Sequence, residues 1–340
     1  MDGTVDASLD EIRKLLNSLP PPDDTAAVAA AAKEKALTKP EGSLGLLEGL
    51  TEWFVSWQGR YPPRLERPRV AVFAGNHGIA RHGISAYPPE VTAQMVANFQ
   101  AGGAAVNQLC KLYDAALRVY EMALDHPTAD FTESAALSEE ECARAMTYGM
   151  MVVEDGIDAV CLGEMGIGNT ASAAALCCAL FGGEARSWTG PGTGVADSVL
   201  SQKIEAVAAG LDYHRENLDD PFEVMRRLGG HELAAIVGAV IAARIGRVPV
   251  ILDGYAATAA AAVLHKIDSS ALDHCIVGHL SAEPAHSRLL ECLDKSPLLD
   301  LGMRLGEASG AVMALSILRG AISCHTGMAS FAEAQVSEKL

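Results

Sequence analysis

The sequence predicts an α/β protein with three layers, α/β/α, around a mostly parallel sheet, and a small all-helical domain beside it. Three observations lead there. Short runs rich in Val, Ile and Leu recur after residue 68, each closed by turn residues and followed by a stretch with helical spacing. Hydrophobic residues make up 49% of the chain but aromatic ones only 5%, so Ala, Val, Leu and Gly must fill the interior, which suits helices packed closely on a sheet buried on both faces. At 340 residues the chain is long for one core, so a second, smaller unit is expected. Strands alternating with helices pair in parallel with right-handed crossovers, which makes the sheet Rossmann-like.

Residues 7–57 show helical spacing and no strand pattern. ASLDEIRKLLNSL is followed by a proline break at Pro20–Pro22, an Ala-rich stretch to Leu37, and LGLLEGLTEWFVSWQ. RYPPRLERPR reads as a linker. The strands expected beyond it are RVAVFAG, ALRVYEMAL, DAVCLGE, VPVILDG and DHCIVGHLS. EASGAVMALSILRGAISCHTGM reads as one long helix that returns to the N-terminal helices. The expected division is a helical domain over residues 1–60, completed by 321–340, and an α/β domain over 65–320.

A formal net charge of −17 disfavours nucleic acid and anionic membranes as partners. An anionic small molecule would therefore be held by local groups, namely helix N-terminal N–H groups and a few cations. The eight cysteines show no CxxC and no paired zinc spacing, and they read as buried, reduced thiols of a cytoplasmic protein. The acidic N-terminus has no apolar signal core, no apolar run is long enough to span a membrane, and the C-terminal SEKL carries no address.

Chemistry concentrates where strands give way to glycine turns. In GEMGIGNTAS, Gly163, Gly166 and Gly168 precede Asn169 and Thr170, one of which is expected to cap a helix and leave N–H groups free for an anion. The spacing is neither GxGxxG nor GxxxxGK[ST], so a plain strand-to-helix turn is an equal reading. Glu164 there is either a solvated turn residue or faces a site. TGPGTG, with Gly192 and Gly194, would let backbone approach a ligand, and Lys203 in the next helix either meets a phosphate or lies exposed on a helix face. Asp253 and Gly254 end a strand, where the carboxylate either holds ribose hydroxyls or caps the following helix. Ser281 in GHLSAEPAHS either bonds a phosphate or caps a helix. His77, His82, His279 and His286 lack metal-site spacing, so no metal is expected. There is no GxSxG to support a seryl nucleophile.

Glu307, between two small-residue turns at the mouth of an apolar helix, is the sharpest acid–base candidate. A helix N-terminus favours its charged form, whereas desolvation by Leu301, Met303 and Leu305 would favour the neutral acid, and the sequence leaves the sign of the shift open.

Taken together and in order, KPEGSLGLLE (39–48), FAGNHGI, GISAYPPEVTAQMVANFQAGGAAVN, GEMGIGNT, TGPGTG, DGYAA, GHLSAEP and RLGEASGA resemble the nicotinate-nucleotide–dimethylbenzimidazole phosphoribosyltransferase family over nearly the whole chain. The resemblance implies transfer of phosphoribose from nicotinate mononucleotide to 5,6-dimethylbenzimidazole, with inversion at the anomeric carbon, to give α-ribazole 5′-phosphate for the cobalamin lower ligand. It implies Glu307 as general base, with Glu164 supporting it. Ser85, Gln94 and Leu305 would meet the benzimidazole; Gly166, Gly192, Gly194, Lys203, Asp253, Gly254 and Ser281 would meet the nucleotide. It implies a homodimer with no cofactor and no metal, since the leaving group is nicotinate rather than pyrophosphate. The chain departs from the family pattern at Asn76, where aspartate is usual, and at Ala308, where glycine is usual. Rival readings are a dinucleotide-dependent oxidoreductase, disfavoured by the missing GxGxxG after the first strand, and a catalytically silent nucleotide sensor on the same scaffold.

Overall fold

The structure is a computed structural model that describes residues 8–337. The expectations on residues 1–7 and on 338–340, a missing leader and a missing terminal address, lie outside the described residues. Three helices come first, α1 (Leu9–Leu16), α2 (Asp24–Ala36) and α3 (Leu46–Gln58). Next come β1 (Pro68–Ala74), α4 (Val91–Ala101), α5 (Ala105–Leu112), β2 (Ala116–Glu121), α6 (Glu139–Met150), β3 (Ala159–Met165), α7 (Asn169–Phe181) and α8 (Asp197–His214). The remainder is α9 (Pro221–Leu228), α10 (His231–Ile245), β4 (Val250–Leu252), α11 (Tyr255–Ile267), β5 (Cys275–His279), α12 (Ala285–Cys292), β6 (Pro297–Leu299), α13 (Ser309–Gly327) and α14 (Phe331–Ala334).

The six strands form one all-parallel sheet in the order β2-β1-β3-β4-β5-β6. The order reverses between β1 and β3, and such a switch point opens a crevice at the carboxyl ends of the strands. The five expected strands are present. β6 is an addition that the sequence reading missed, because three residues between Ser296 and Asp300 are too few to show a period.

Alternation along the strands builds the two layers. Val70, Val72, Cys161 and Ile251 point to a cluster with Leu50 and Phe54 of α3, Val106 of α5 and Val312, Leu315 and Leu318 of α13. Ala71, Phe73, Val160, Leu162 and Leu252 point the other way, into the larger cluster with α6, α7, α9, α10 and α11. The long helix α13 packs on α3 as expected, and Leu37 bridges Ser330. Within the N-terminal region, α1 places Leu9, Ile12 and Leu16 in the larger cluster, while Ala26 and Ala30 of α2 meet Val55 of α3. Six cysteines are buried, but Cys292 is exposed and Cys324 half-buried, which corrects the expectation that all eight are interior. Among the described residues no helix is long and apolar enough to cross a membrane.

The low aromatic content is used where helices touch backbone to backbone. A Cβ on Gly149 of α6 would strike the Ala235 carbonyl of α10, and one on Gly238 of α10 would strike the Met146 carbonyl of α6. Gly238→Ala is expected to push the two helices apart at a cost of about 1–3 kcal/mol, read as a lower urea midpoint with unchanged slope; an unchanged midpoint would show that the packing has slack.

Candidate active site

A cleft of ≈ 520 Å³ opens over the carboxyl ends of β3, β4 and β5. Ile84, Ser85 and Tyr87 line one side, Glu164 to Thr170 the floor, Gly192 and Thr193 a second side, and Gly254 to Ala256, His279, Ser281, Glu283 and Arg304 to Gly306 the rest. Of the sequence candidates, Glu164, Gly166, Ser85, Gly192, Gly254, Ser281 and Leu305 line it.

Glu307, Asp253, Lys203, Gly194 and Gln94 do not line it. Glu307 lies one residue beyond the wall at Gly306 and is 4% exposed. Three consecutive left-handed residues place it there, Gly306 (φ 80°), Glu307 (φ 62°) and Ala308 (φ 59°). For the two non-glycine residues this conformation costs about 1–3 kcal/mol each, so the surroundings must hold it. They do so through Glu307 N–H donating to the Glu164 carbonyl (3.1 Å), Ser309 N–H and Oγ donating to the Gly306 carbonyl (3.0 and 2.7 Å), and Ala311 N–H donating to Asp253 Oδ1 (2.9 Å). Gly163 leaves the space, since a Cβ there would run into the Ala308 backbone. The methyl of Ala308 is buried in the sheet core, away from the cleft.

The turn fixes the sign of the shift at Glu307. Burial pushes its carboxyl up to about 7, and the neighbouring Asp253 carboxylate adds to it. The desolvation does not come from the expected leucines, because Leu301 and Leu305 are each 56% exposed. Asp253, 1% exposed, caps the N-terminus of α13 rather than that of its own following helix, so its negative charge consumes the favourable field of α13 that would have lowered Glu307. Glu164 is pushed higher, to about 8, first by burial, then by Asp253 and Glu232, with Glu307 a smaller contributor; the Asn169 amide bonded to it opposes the rise. Asn169 thus serves Glu164 instead of capping α7, whose N-cap is Gly168 with no side-chain bond.

Lys203 is 2% exposed, contrary to the surface reading, and its Nζ donates to Thr170 Oγ1 (2.7 Å) and the Gly190 carbonyl (2.9 Å) behind the glycine loop. Burial lowers it to about 8, against the attraction of Glu283. The loop amides are less free than expected. Gly192 N–H donates to Glu283 Oε1 (2.8 Å) and Gly194 N–H to the Pro191 carbonyl (3.0 Å). The cation facing the cleft is Arg304, which donates from Nη1 to the Gly192 carbonyl (3.0 Å). Ser281 Oγ accepts from Glu283 N–H (3.2 Å), and Ser85 Oγ meets Thr193 Oγ1 at 3.2 Å across the cleft. Gln94 is exposed on α4. Asn76 is buried and donates to the Leu124 carbonyl (3.0 Å). Of the histidines, His286 is a core residue, accepting from Ser281 N–H (2.8 Å), meeting Thr258 Oγ1 (3.2 Å), and lowered by burial to about 3.

Arg304, Glu283 and Thr193 were missed as site residues. Arg304 sits three residues before Glu307, on the same glycine-flanked segment, and Glu283 two after Ser281, so proximity to a candidate was the available signal.

A switch-point cleft with glycine turns, a cation and paired carboxylates belongs to a nucleotide-handling transferase, and a family model described as phosphoribosyltransferase matches residues 19–336. A nicotinate-nucleotide–dimethylbenzimidazole phosphoribosyltransferase from Rhizobium leguminosarum bv. trifolii is 56% identical over 330 residues, 97% of each chain. The enzyme of that name from Methylocella silvestris is 54% identical over 334 residues, 98% of each. The crystal structure of the Thermus thermophilus protein of that name superposes with a TM-score of 0.86 at 37% identity, covering 93% of this chain and all of that one. The chain belongs to the nicotinate-nucleotide–dimethylbenzimidazole phosphoribosyltransferase family.

Raised carboxyls have a consequence for stability. Folded, Glu307 and Glu164 keep their protons to about pH 7 and 8, whereas unfolded they lose them near the ordinary 4.5, so stability falls as pH rises from about 4.5 to 8. Glu307→Gln removes one of these losses and is expected to be more stable than the parent at pH 8 by on the order of 1–3 kcal/mol, with no such gain at pH 4.5. Urea denaturation at both values checks this, and an equal difference at the two would contradict it.

Proposed function

We propose that the chain transfers the phosphoribosyl group of nicotinate mononucleotide to 5,6-dimethylbenzimidazole, releasing nicotinate and α-ribazole 5′-phosphate for the cobalamin lower ligand. The observation that carries the reading is the pair Glu164, half-buried on the cleft floor, and Glu307, buried one residue behind its wall, tied by the Glu307 N–H to the Glu164 carbonyl (3.1 Å) and with their affinities for protons raised into the neutral range. Such a range is what acid–base work at neutral pH requires.

In the reaction one benzimidazole nitrogen forms a bond to C1′ from the face opposite nicotinate. The C1′–N bond breaks and its electron pair returns to the nicotinate ring, which leaves uncharged at nitrogen. Positive charge then sits on the benzimidazole, and Glu307 takes the proton from the other ring nitrogen. The attacking nitrogen is already nucleophilic, so the remaining contribution is alignment in the cleft. Glu164, protonated, stands beside the base and does not add a charge to a site whose substrate is an anion. Ser85, Gln94 and Leu305 are assigned to the aromatic base, with Gln94 needing movement of α4 or of the ligand to reach it. Gly166, Gly192, Gly194, Lys203, Asp253, Gly254 and Ser281 are assigned to the nucleotide. Within that set, Lys203 acts through Thr170 and the glycine loop, and Asp253 through α13. We place the enzyme in the cytoplasm as a homodimer; buried thiols held above their ordinary range fit a reducing compartment.

Incubation with the two substrates, with and without EDTA, tests the reading: nicotinate and α-ribazole phosphate are expected in both, detected by mass. Nucleotide binding without product would favour the silent sensor. Glu307→Gln is expected to fold and lose about 10²–10⁴-fold in kcat, while the parent's kcat rises with pH through about 7 as Glu307 ionises; parental turnover in the variant would remove Glu307 as base. Lys203→Ala is expected mainly to raise the KM for nicotinate mononucleotide, and an unchanged KM would count against its phosphate role.

A further inference from the structure

Behind the cleft floor, a carboxyl and an imidazole are sealed away from solvent and have no part in the mechanism above. The side chains of Glu232, in the first turn of α10, and His77, after β1, are both 0% exposed, and His77 Nε2 lies 2.6 Å from Glu232 Oε1. On the other side of the ring, Ser172 Oγ of α7 lies 3.0 Å from His77 Nδ1. Three segments that end near the cleft are thereby tied together. The sequence makes room for this carboxylate with glycines: a Cβ on Gly75 would stand 2.5 Å from Oε2, one on Gly230 2.8 Å from the same oxygen, and one on Gly166 3.2 Å from Oε1. Gly166 is also cleft floor, two residues past Glu164. Glu232 Oε2 has no partner among the described residues.

A carboxylate sunk this deep, with one oxygen unsatisfied, costs stability, and a neutral residue would tie the segments together as well. A buried carboxyl here therefore calls for a use. We propose that Glu232, oriented by His77 and Ser172, is a positioning residue for the reaction: it fixes the floor at Gly166 and with it the place of Glu164, two residues before.

The inference rests on Glu164 and Glu307 being the reactive pair. Facing Glu164 are Asp253 from the end of β4, Glu307 from the turn before α13, Glu232 from α10 and the Asn169 amide from α7. Around Glu232 stand His77 and His231, with Glu141 of α6 and His126 near His231. Of the groups facing Glu164, Asp253, Glu232 and Glu307 favour its protonated form and the Asn169 amide opposes it. A protonated Glu164 has an O–H to donate to an anionic substrate group, and it leaves Glu307 as the one carboxylate free to take the azole proton.

The test is an infrared titration of the Glu164 carboxyl band, isolated by subtracting the spectrum of Glu164→Gln, in the parent and in Glu232→Gln. The expected result is a midpoint lower by about one pH unit or more in Glu232→Gln, together with lower kcat and little change in KM. An unmoved midpoint in a folded variant overturns the proposal. If Glu232→Gln does not fold, Ser172→Ala decides, since the alanine-rich α7 accepts it: a midpoint moved by about half a unit supports the relay, and an unmoved one overturns it. Parental turnover on the two substrates is measured alongside; its absence would remove the functional reading, while the titration still decides the part played by Glu232.

Discussion

The hydrogen bond from Ala311 N–H to the Asp253 carboxylate joins the end of β4 to the first turn of α13, and the placement of Glu307 depends on it. A helix preceded by three left-handed residues has no intrinsic reason to start where it does. Asp253 supplies the reason, by satisfying α13's N-terminal amides from within the sheet layer. Gly163 allows the turn to approach β3, and the Glu164 carbonyl accepts the Glu307 N–H, so the two glutamates are held in fixed relation by backbone as well as by side chains. Strain at the turn is thus sustained by its bonds to the sheet.

The same aspartate sets the electrical character of the cleft. It occupies the positive end of α13 and adds its own charge to the surroundings of Glu307 and Glu164. Burial supplies most of the rise, and the surrounding carboxylates supply the rest. Of the cations nearby, Lys203 lies behind the glycine loop and Arg304 reaches the Gly192 carbonyl. An acidic protein can therefore receive an anionic nucleotide, because Glu164 on the cleft floor holds its proton at neutral pH instead of repelling it. The cost is borne in stability above pH 4.5, as expected where a site is built for chemistry.

Much of the fold was legible because strands followed by glycine turns carry a strong local signal. Five strands, the N-terminal helices and the long C-terminal helix were readable from periodicity, and β6 was not, being three residues long. The motifs of the site were legible as motifs; what each residue does was less so. Lys203 looks in sequence like any helix-surface lysine, and only packing of α8 against α7 buries it. Asp253 could be seen at a strand end, but the helix amide it accepts from, that of Ala311, lies 58 residues on, a pairing that only the fold supplies. The sequence points to Leu301, Met303 and Leu305 for the desolvation of Glu307, but both leucines are exposed and Met303 is only half-buried, so their place in the chain does not tell how Glu307 is buried. Likewise the amide of Gly192, free by sequence, is taken by Glu283 from another segment. Local chemistry is written locally, and the direction of a pKa shift is not.

The measurement that bears most directly on the role of the buried pair is a carboxyl-carbon NMR titration of the protein labelled at glutamate, with Glu307→Gln and Glu164→Gln for assignment. Two glutamates titrating near pH 7 and 8, each resonance lost in its own variant, is the predicted result. Both titrating near the ordinary 4.5 would contradict the claim that the buried turn and Asp253 raise them, and with it the role given to Glu307.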